Sequence, residues 1–136
     1  MADLVPGAPA SAVTGPEAMS YDRPGDLRKV RDFVAARAIA LGLSELRAEM
    51  LVLAVSELTT NTLQHTGEGG RVRVWAQDGD VVCDVVDQGP AHSFGREMPG
   101  AEALRGRGLA IVERVCDAVE TQSVPDGTLV RIRLRL

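Results

Sequence analysis

Three polar residues recur at four-residue steps inside a stretch that is otherwise rich in apolar side chains: Glu57, Asn61 and His65 in MLVLAVSELTTNTLQHT, residues 50–66. On a helix, steps of four bring side chains onto one face. Met50, Leu51, Ala54, Val55 and Leu58 form an apolar arc, and Glu57, Asn61 and His65 fall on it or at its edge. Ser56, Thr59 and Thr60 fall on the opposite side. A carboxylate, an amide and an imidazole on an inward face are costly to bury without partners. Two arrangements satisfy them: a helix end that emerges from the core, or a helix that forms one wall of a polar cleft. In a cleft, the asparagine oxygen suits a hard cation, and the glutamate suits a base or a water-orienting group.

Two further signals stand outside this helix. Asp87 ends the run VVCDVVD with the same strand parity as Val81, Cys83 and Val85, so its carboxylate emerges on their face where the strand breaks at Gly89. Thr128 shares the core side of the last strand. Each residue also suits a turn cap or strand end. The segment Arg105-Gly106-Arg107-Gly108-Leu109 opens a helix, and its two glycines allow the backbone to approach an anion with the positive helix end behind it. This segment is neither a Walker A loop, which needs Gly-Lys-Ser/Thr, nor a dinucleotide fingerprint after a first strand.

The elements that must position these groups follow from hydrophobic period. Leu27, Val30, Val34, Ala38 and Leu41 recur at helical steps and end at Gly42. Ser44 then caps a second helix, which runs to about His65 and is stopped by Gly67, Gly69 and Gly70. Beyond Gly70 the period falls to two: Val72, Val74 and Ala76 alternate with Arg71, Arg73, Trp75 and Gln77, Gly79 turns the chain, and Val81–Asp87 is the next strand. Residues 88–104 read as loop. Leu109, Val112 and Val115 share a helical face, a strand follows near Ala118–Ser123, and Pro125-Asp126-Gly127 forms a turn. The last strand places Val130, Ile132 and Leu134 opposite Arg131, Arg133 and Arg135. One covered and one wet sheet face predict a two-layer α/β sandwich, with a mixed, mostly antiparallel sheet under helices. Residues 1–24 hold four of the seven prolines and read as a disordered tail, with a short strand near Ala18–Tyr21. Residues 25–136 form the domain.

With 136 residues there is room for one domain with a real core, and with four aromatic residues that core must be aliphatic. The net charge of −4 and the scarcity of stacking platforms speak against nucleic acid as a partner. Cys83 and Cys116 sit in apolar runs and read as reduced core residues, and no CxxC or HxxxH spacing offers a metal site. The first residues lack the features of a secretory signal, and MLVLAV is far shorter than the ~20 residues of a membrane span, so a cytoplasmic location is expected.

Taken in order, ELTTNTLQHT, VVDQGP, GRGLAIVERVCD and GTLVRIRL resemble the N box, G1 box, G2 box and final strand of the histidine-kinase-like ATPase superfamily (GHKL, Bergerat fold). Within it they resemble most the small anti-sigma-factor serine/threonine kinases of actinobacterial type. The resemblance spans about residues 25–136. It implies ATP held with Mg²⁺ between helices and sheet: Asn61 on the metal, Glu57 activating the attacking hydroxyl or water, and Asp87 accepting from the adenine amino group with Thr128 assisting. Gly89 belongs to the G1 turn, and Arg105, Gly106, Arg107, Gly108 and Leu109 lie along the phosphates. The implied partners are an antagonist protein and a sigma factor, with a homodimer left open and neither nucleic acid nor membrane contacted directly. Pro90-Ala91 departs from the DxGxG pattern of the G1 box, which bears on turnover more than on binding. Three functions are therefore in play: a kinase that phosphorylates an antagonist, a catalytically weak ATP-dependent regulator, and an interaction domain without nucleotide. Length leaves no room for the phosphoacceptor hairpin of a sensor histidine kinase.

Overall fold

The computed structural model describes residues 17–66, 68–87, 110–125 and 127–136. The elements run β1 (Ala18–Tyr21), a 3₁₀ turn (Pro24–Asp26), α1 (Leu27–Ala40), α2 (Glu45–Thr66), β2 (Gly70–Gln77), β3 (Asp80–Asp87), α3 (Ala110–Val115), β4 (Ala118–Val124) and β5 (Gly127–Arg135). The strands form one sheet in the order β1-β2-β3-β5-β4. Every pairing among the described residues is antiparallel, where a mixed sheet was expected. β2 and β3 form a hairpin whose turn, Asp78-Gly79, takes positive φ at both residues, 52° and 84°. That turn matches the right-handed twist of the strands, and Gly79 adopts it without steric cost.

Local chemistry sets the helices. The Ser44 hydroxyl accepts from the Arg47 backbone N–H at 3.2 Å, which caps α2 as its sequence predicts. The core lies between α1 and α2 on one side and the inward residues of the sheet on the other. It includes Val30, Val34, Ala38, Leu51, Val55, Leu58, Val72, Val74, Val81, Cys83, Ile132 and Leu134. Tyr21 joins it at 2% exposure, so the packed unit begins before Gly25 and the expected tail boundary moves toward the N-terminus. The reason is pairing: β1 lies along β2, with Ala18 opposite Arg73 and Tyr21 opposite Gly70.

Two features depart from the helical-wheel expectation. Thr59, placed on the outer side of α2, is buried, because α2 packs against α3 as well as α1. Its hydroxyl donates to the Val55 carbonyl at 2.8 Å. Arg37 is buried on α1, and its guanidinium donates to the Val74 carbonyl at 2.8 and 3.3 Å. The Val74 N–H is met separately, by the Glu17 carbonyl just before β1 at 2.8 Å, so both backbone groups of Val74 are satisfied.

The face of the sheet away from the helices carries a row of alternating charge across four strands: Arg73 opposite Asp84, Asp84 opposite Arg131, and Arg131 opposite Glu120. Asp84 is buried and accepts two bonds from Arg131 at 2.7 and 2.8 Å. The Trp75 ring lies under Arg73 and Arg131, at 4.4 and 5.3 Å from its centroid. Opposite charges directly across strands, covered by a cation–π stack, let this sheet face stand without a helix over it.

Candidate nucleotide site

The candidate groups meet where the C-terminal half of α2 passes over the end of the sheet. Asp87, the last residue of β3, is buried and pairs across the sheet with Gly70. Val86 pairs with Leu129, so the next step along β5 brings Thr128 beside Asp87. From above, α2 contributes Leu58 and Thr62. Leu58, Thr62, Val85, Asp87, Thr128 and Val130 line one narrow cleft of about 10 Å³, room for about one water. A buried carboxylate beside two hydroxyls, among apolar side chains, has the chemistry to accept from an exocyclic amine presented at the mouth of that cleft.

One helical turn separates Glu57 from Asn61 on α2, and Asn61 precedes Thr62. Asn61 is 7% exposed, and its amide nitrogen has no hydrogen-bond partner among the described residues. Natural cores rarely leave such a group unmet. Glu57 is half-buried at the edge of the same helix face. Among the described residues no three His, Cys, Asp or Glu side chains cluster to hold a metal. A divalent cation here would therefore take an oxygen from Asn61 and draw the rest of its ligands from phosphates and water, the usual habit of Mg²⁺. The Asn61 carbonyl oxygen has the chemistry for that role, and the unmet Nδ2 leaves a donor for a phosphate oxygen.

Of the residues expected from sequence, Asp87 and Thr128 come together in the cleft, and Glu57 and Asn61 lie one turn apart on α2, the helix that supplies Leu58 and Thr62 to it. Gly89 and Arg105, Gly106, Arg107, Gly108 and Leu109 lie outside the described residues, as does the side chain of His65. Two further residues, Thr62 in the cleft and Tyr21 beside it, carry no such signal in the sequence. Thr62 follows Asn61 directly and was hidden among the neighbouring threonines of the helix. Tyr21 lies before the first helix, in a stretch that reads as tail.

Burial pushes the Tyr21 hydroxyl up to about 12; Thr62 opposes the shift and the Asp87 charge adds to it. The phenol therefore stays protonated, as a donor, at any physiological pH. Burial likewise pushes the Cys116 thiol up to about 12 and the Cys83 thiol well above its ordinary value, in keeping with inert core cysteines. A larger groove of about 630 Å³ lies on the outer side of the helices, between α1 and α2. Ile39, Val52 and Leu53 make its floor, and Arg31, Asp32 and Glu49 lie at its rim. It brings together none of the residues above. No described helix is long and apolar enough to cross a membrane.

Known proteins give the same assignment. The family described as the histidine kinase-like ATPase domain matches residues 21–134. No curated protein matches the chain. Among solved structures, the crystal structure of the RsbU and RsbW domains of Rv1364c from Mycobacterium tuberculosis aligns with a TM-score of 0.69 at 22% identity. The alignment covers 90% of this chain and 33% of that one, so this chain spans about a third of its structural neighbour. The family match runs over most of the length of the chain, and the antiparallel sheet under a helix layer is the fold shared with that structure: this chain belongs to the histidine kinase-like ATPase domain family.

Proposed function

We propose that this protein is an ATP-dependent protein serine/threonine kinase of the anti-sigma-factor type, which phosphorylates an antagonist protein in the cytoplasm and thereby governs a sigma factor. The observation that carries this reading is the Glu57–Asn61 pair: a half-buried carboxylate one turn from a buried, orphaned amide, above the end of a strand that holds Asp87. Base recognition at Asp87 and phosphate handling at Asn61 are thereby set apart along one helix, as a nucleotide lying in the cleft requires. Mg²⁺ bound at Asn61 would offset charge between the β- and γ-phosphates. Glu57 accepts the proton of the attacking serine or threonine hydroxyl while its oxygen bonds to the γ-phosphorus. The bond from that phosphorus to the β-phosphate oxygen breaks, and ADP leaves. Arg105, Gly106, Arg107, Gly108 and Leu109, which precede α3 in sequence, are the segment proposed to lie along the phosphates, with Gly89, two residues after Asp87, proposed to contact the nucleotide beside them. The anti-sigma branch is supported by the four sequence boxes in order, and the structural neighbour from Mycobacterium tuberculosis includes an RsbW domain.

The test is phosphotransfer itself. Purified protein incubated with Mg-ATP and candidate antagonists should produce phosphoserine or phosphothreonine on the antagonist. Glu57→Gln keeps the shape and an oxygen acceptor but cannot take a proton, so it should bind ATP near wild type and lose 10²–10⁴-fold in transfer, about the usual contribution of a general base. ATP binding with no transfer to any antagonist would move the protein to the regulator class, the reading to which Pro90-Ala91 in the G1 box points.

A further inference from the structure

The row of residues that holds Asp87 continues past it to Tyr21. Tyr21 pairs with Gly70 across β1–β2, and Gly70 pairs with Asp87 across β2–β3, so all three share the helix-facing side. Gly70 brings no side chain to that row, and none fits: a Cβ there would lie 2.0 Å from the Val86 carbonyl oxygen and 3.0 Å from the Asp87 Cα. Tyr21 and Asp87 are thus two strand spacings apart, about 10 Å, with no β2 side chain in the row between them, a gap that a phenol ring and a carboxylate can span. The Tyr21 hydroxyl is buried next to Thr62 and within range of the Asp87 charge. Among the described residues no acceptor meets it at hydrogen-bond geometry.

Donor counting narrows the role of that hydroxyl. An ionised Asp87 only accepts, and the Thr62 hydroxyl donates its one proton to the Leu58 carbonyl at 3.0 Å. A base amine entering the cleft also donates, so it competes for the same lone pairs. Tyr21 brings a proton that no described acceptor takes. It arrives from the side of the carboxylate away from Thr128 and β5, the opposite flank of the row.

We propose that Tyr21 is a positioning residue for base recognition: from the β1 side, its hydroxyl donates into the Asp87–Thr62 pair and turns one Asp87 oxygen to face the cleft as the acceptor for the exocyclic amine of adenine. The proposal rests on the nucleotide reading above. It makes selectivity for an amino purine a property of the first strand as well as of the third.

Tyr21→Phe keeps the ring and removes only the proton. ATP affinity, measured by calorimetric titration, should fall about three- to ten-fold, the loss of one buried hydrogen bond. Affinity for purine riboside triphosphate, which lacks the amine, should change little, so discrimination between the two narrows. In an Asp87→Asn background the same substitution should have almost no further effect. A second readout needs no substitution. Tyr21 is the only tyrosine of the chain, so 3-fluorotyrosine labelling gives one fluorine resonance, which ATP should shift more than the analogue does. The proposal is overturned if Tyr21→Phe binds both nucleotides as wild type does, if it weakens both equally, or if both ligands move the resonance alike. Asp87→Asn with undiminished ATP affinity would instead overturn the nucleotide reading, so the two failures are distinct.

Discussion

Gly127→Ala probes the site from a residue that would touch no ligand. A Cβ on Gly127 would lie 2.3 Å from the Asp87 carbonyl oxygen and 2.4 Å from its carboxylate Oδ1, where ordinary contact begins near 3.4 Å. About 1 Å of movement is therefore demanded from the end of β3. The carboxylate can swing aside, but the carbonyl is backbone and belongs to the strand. Overpacking of this kind costs about 1–3 kcal/mol. For a domain of this size that lowers Tm by roughly 3–15 °C. The same movement re-aims Asp87, whose charge-assisted bond to a base amine is worth about 1.5–3 kcal/mol. ATP affinity should accordingly fall by about ten-fold or more. Differential scanning calorimetry and ATP titration read the two effects separately. Gly25→Ala is the control: nothing lies within 4 Å of the added carbon, and both readouts should stay at wild type. A Gly127→Ala protein with lowered Tm and unchanged ATP affinity would refute the placement of Asp87 against the base. Unchanged Tm would refute the close approach of β5 to β3.

Asn61→Ala should weaken Mg-ATP binding far more than binding of ATP in excess chelator; equal losses would assign Asn61 to the nucleotide and not the cation. Asp84→Ala leaves Arg131 without its two charged bonds on the outer sheet face. Denaturant unfolding should show about 2–3 kcal/mol lost with ATP affinity intact, whereas a fall in ATP affinity would show that the two sheet faces are coupled. Above pH 9 the unfolded chain gives up thiol and phenol protons that the folded chain retains, so stability must fall as pH rises. For Tyr21, with a folded value of about 12 against 10.0, the loss is about 3 kcal/mol between pH 10 and pH 12. Tyr21→Phe should flatten that part of a pH series of denaturant midpoints, and an unchanged slope would mean that the phenol is not buried as described.

The helices and strands were legible because their signals are local. The period of three to four from Leu27 to Leu41, the Ser44 cap, the period of two after Gly70 and the turn at Gly79 each depend on neighbours within a few residues. All four are where the sequence puts them. The pairing of Glu57 with Asn61 was legible for the same reason, since one helical turn brings them together in any fold. Strand parity likewise placed Asp87 and Thr128 on the covered face, although it could not say that they would stand side by side.

Register and packing belong to the tertiary structure, since they set residues far apart in sequence against one another. Tyr21 reaches Asp87 only because β1 pairs with β2 and β2 with β3 in one register, across Gly70, and a slip of a single residue would turn Tyr21 to the opposite face. The sequence offers a short strand near Ala18–Tyr21, where β1 lies, but no local signal says which strand it joins or in what register. Thr59 and Thr62 look alike in sequence. α2 is flanked on two sides, so both are buried, and only the position of the sheet end makes Thr62 a cleft residue. Arg37 and Asp84 are charged residues in buried places, against every compositional expectation. Each is stabilised there by a single partner more than thirty residues away, a backbone carbonyl for one and a guanidinium for the other. Propensity acts over one turn or one strand step, whereas the desolvation of a charge is offset only by the group that the completed fold brings to meet it.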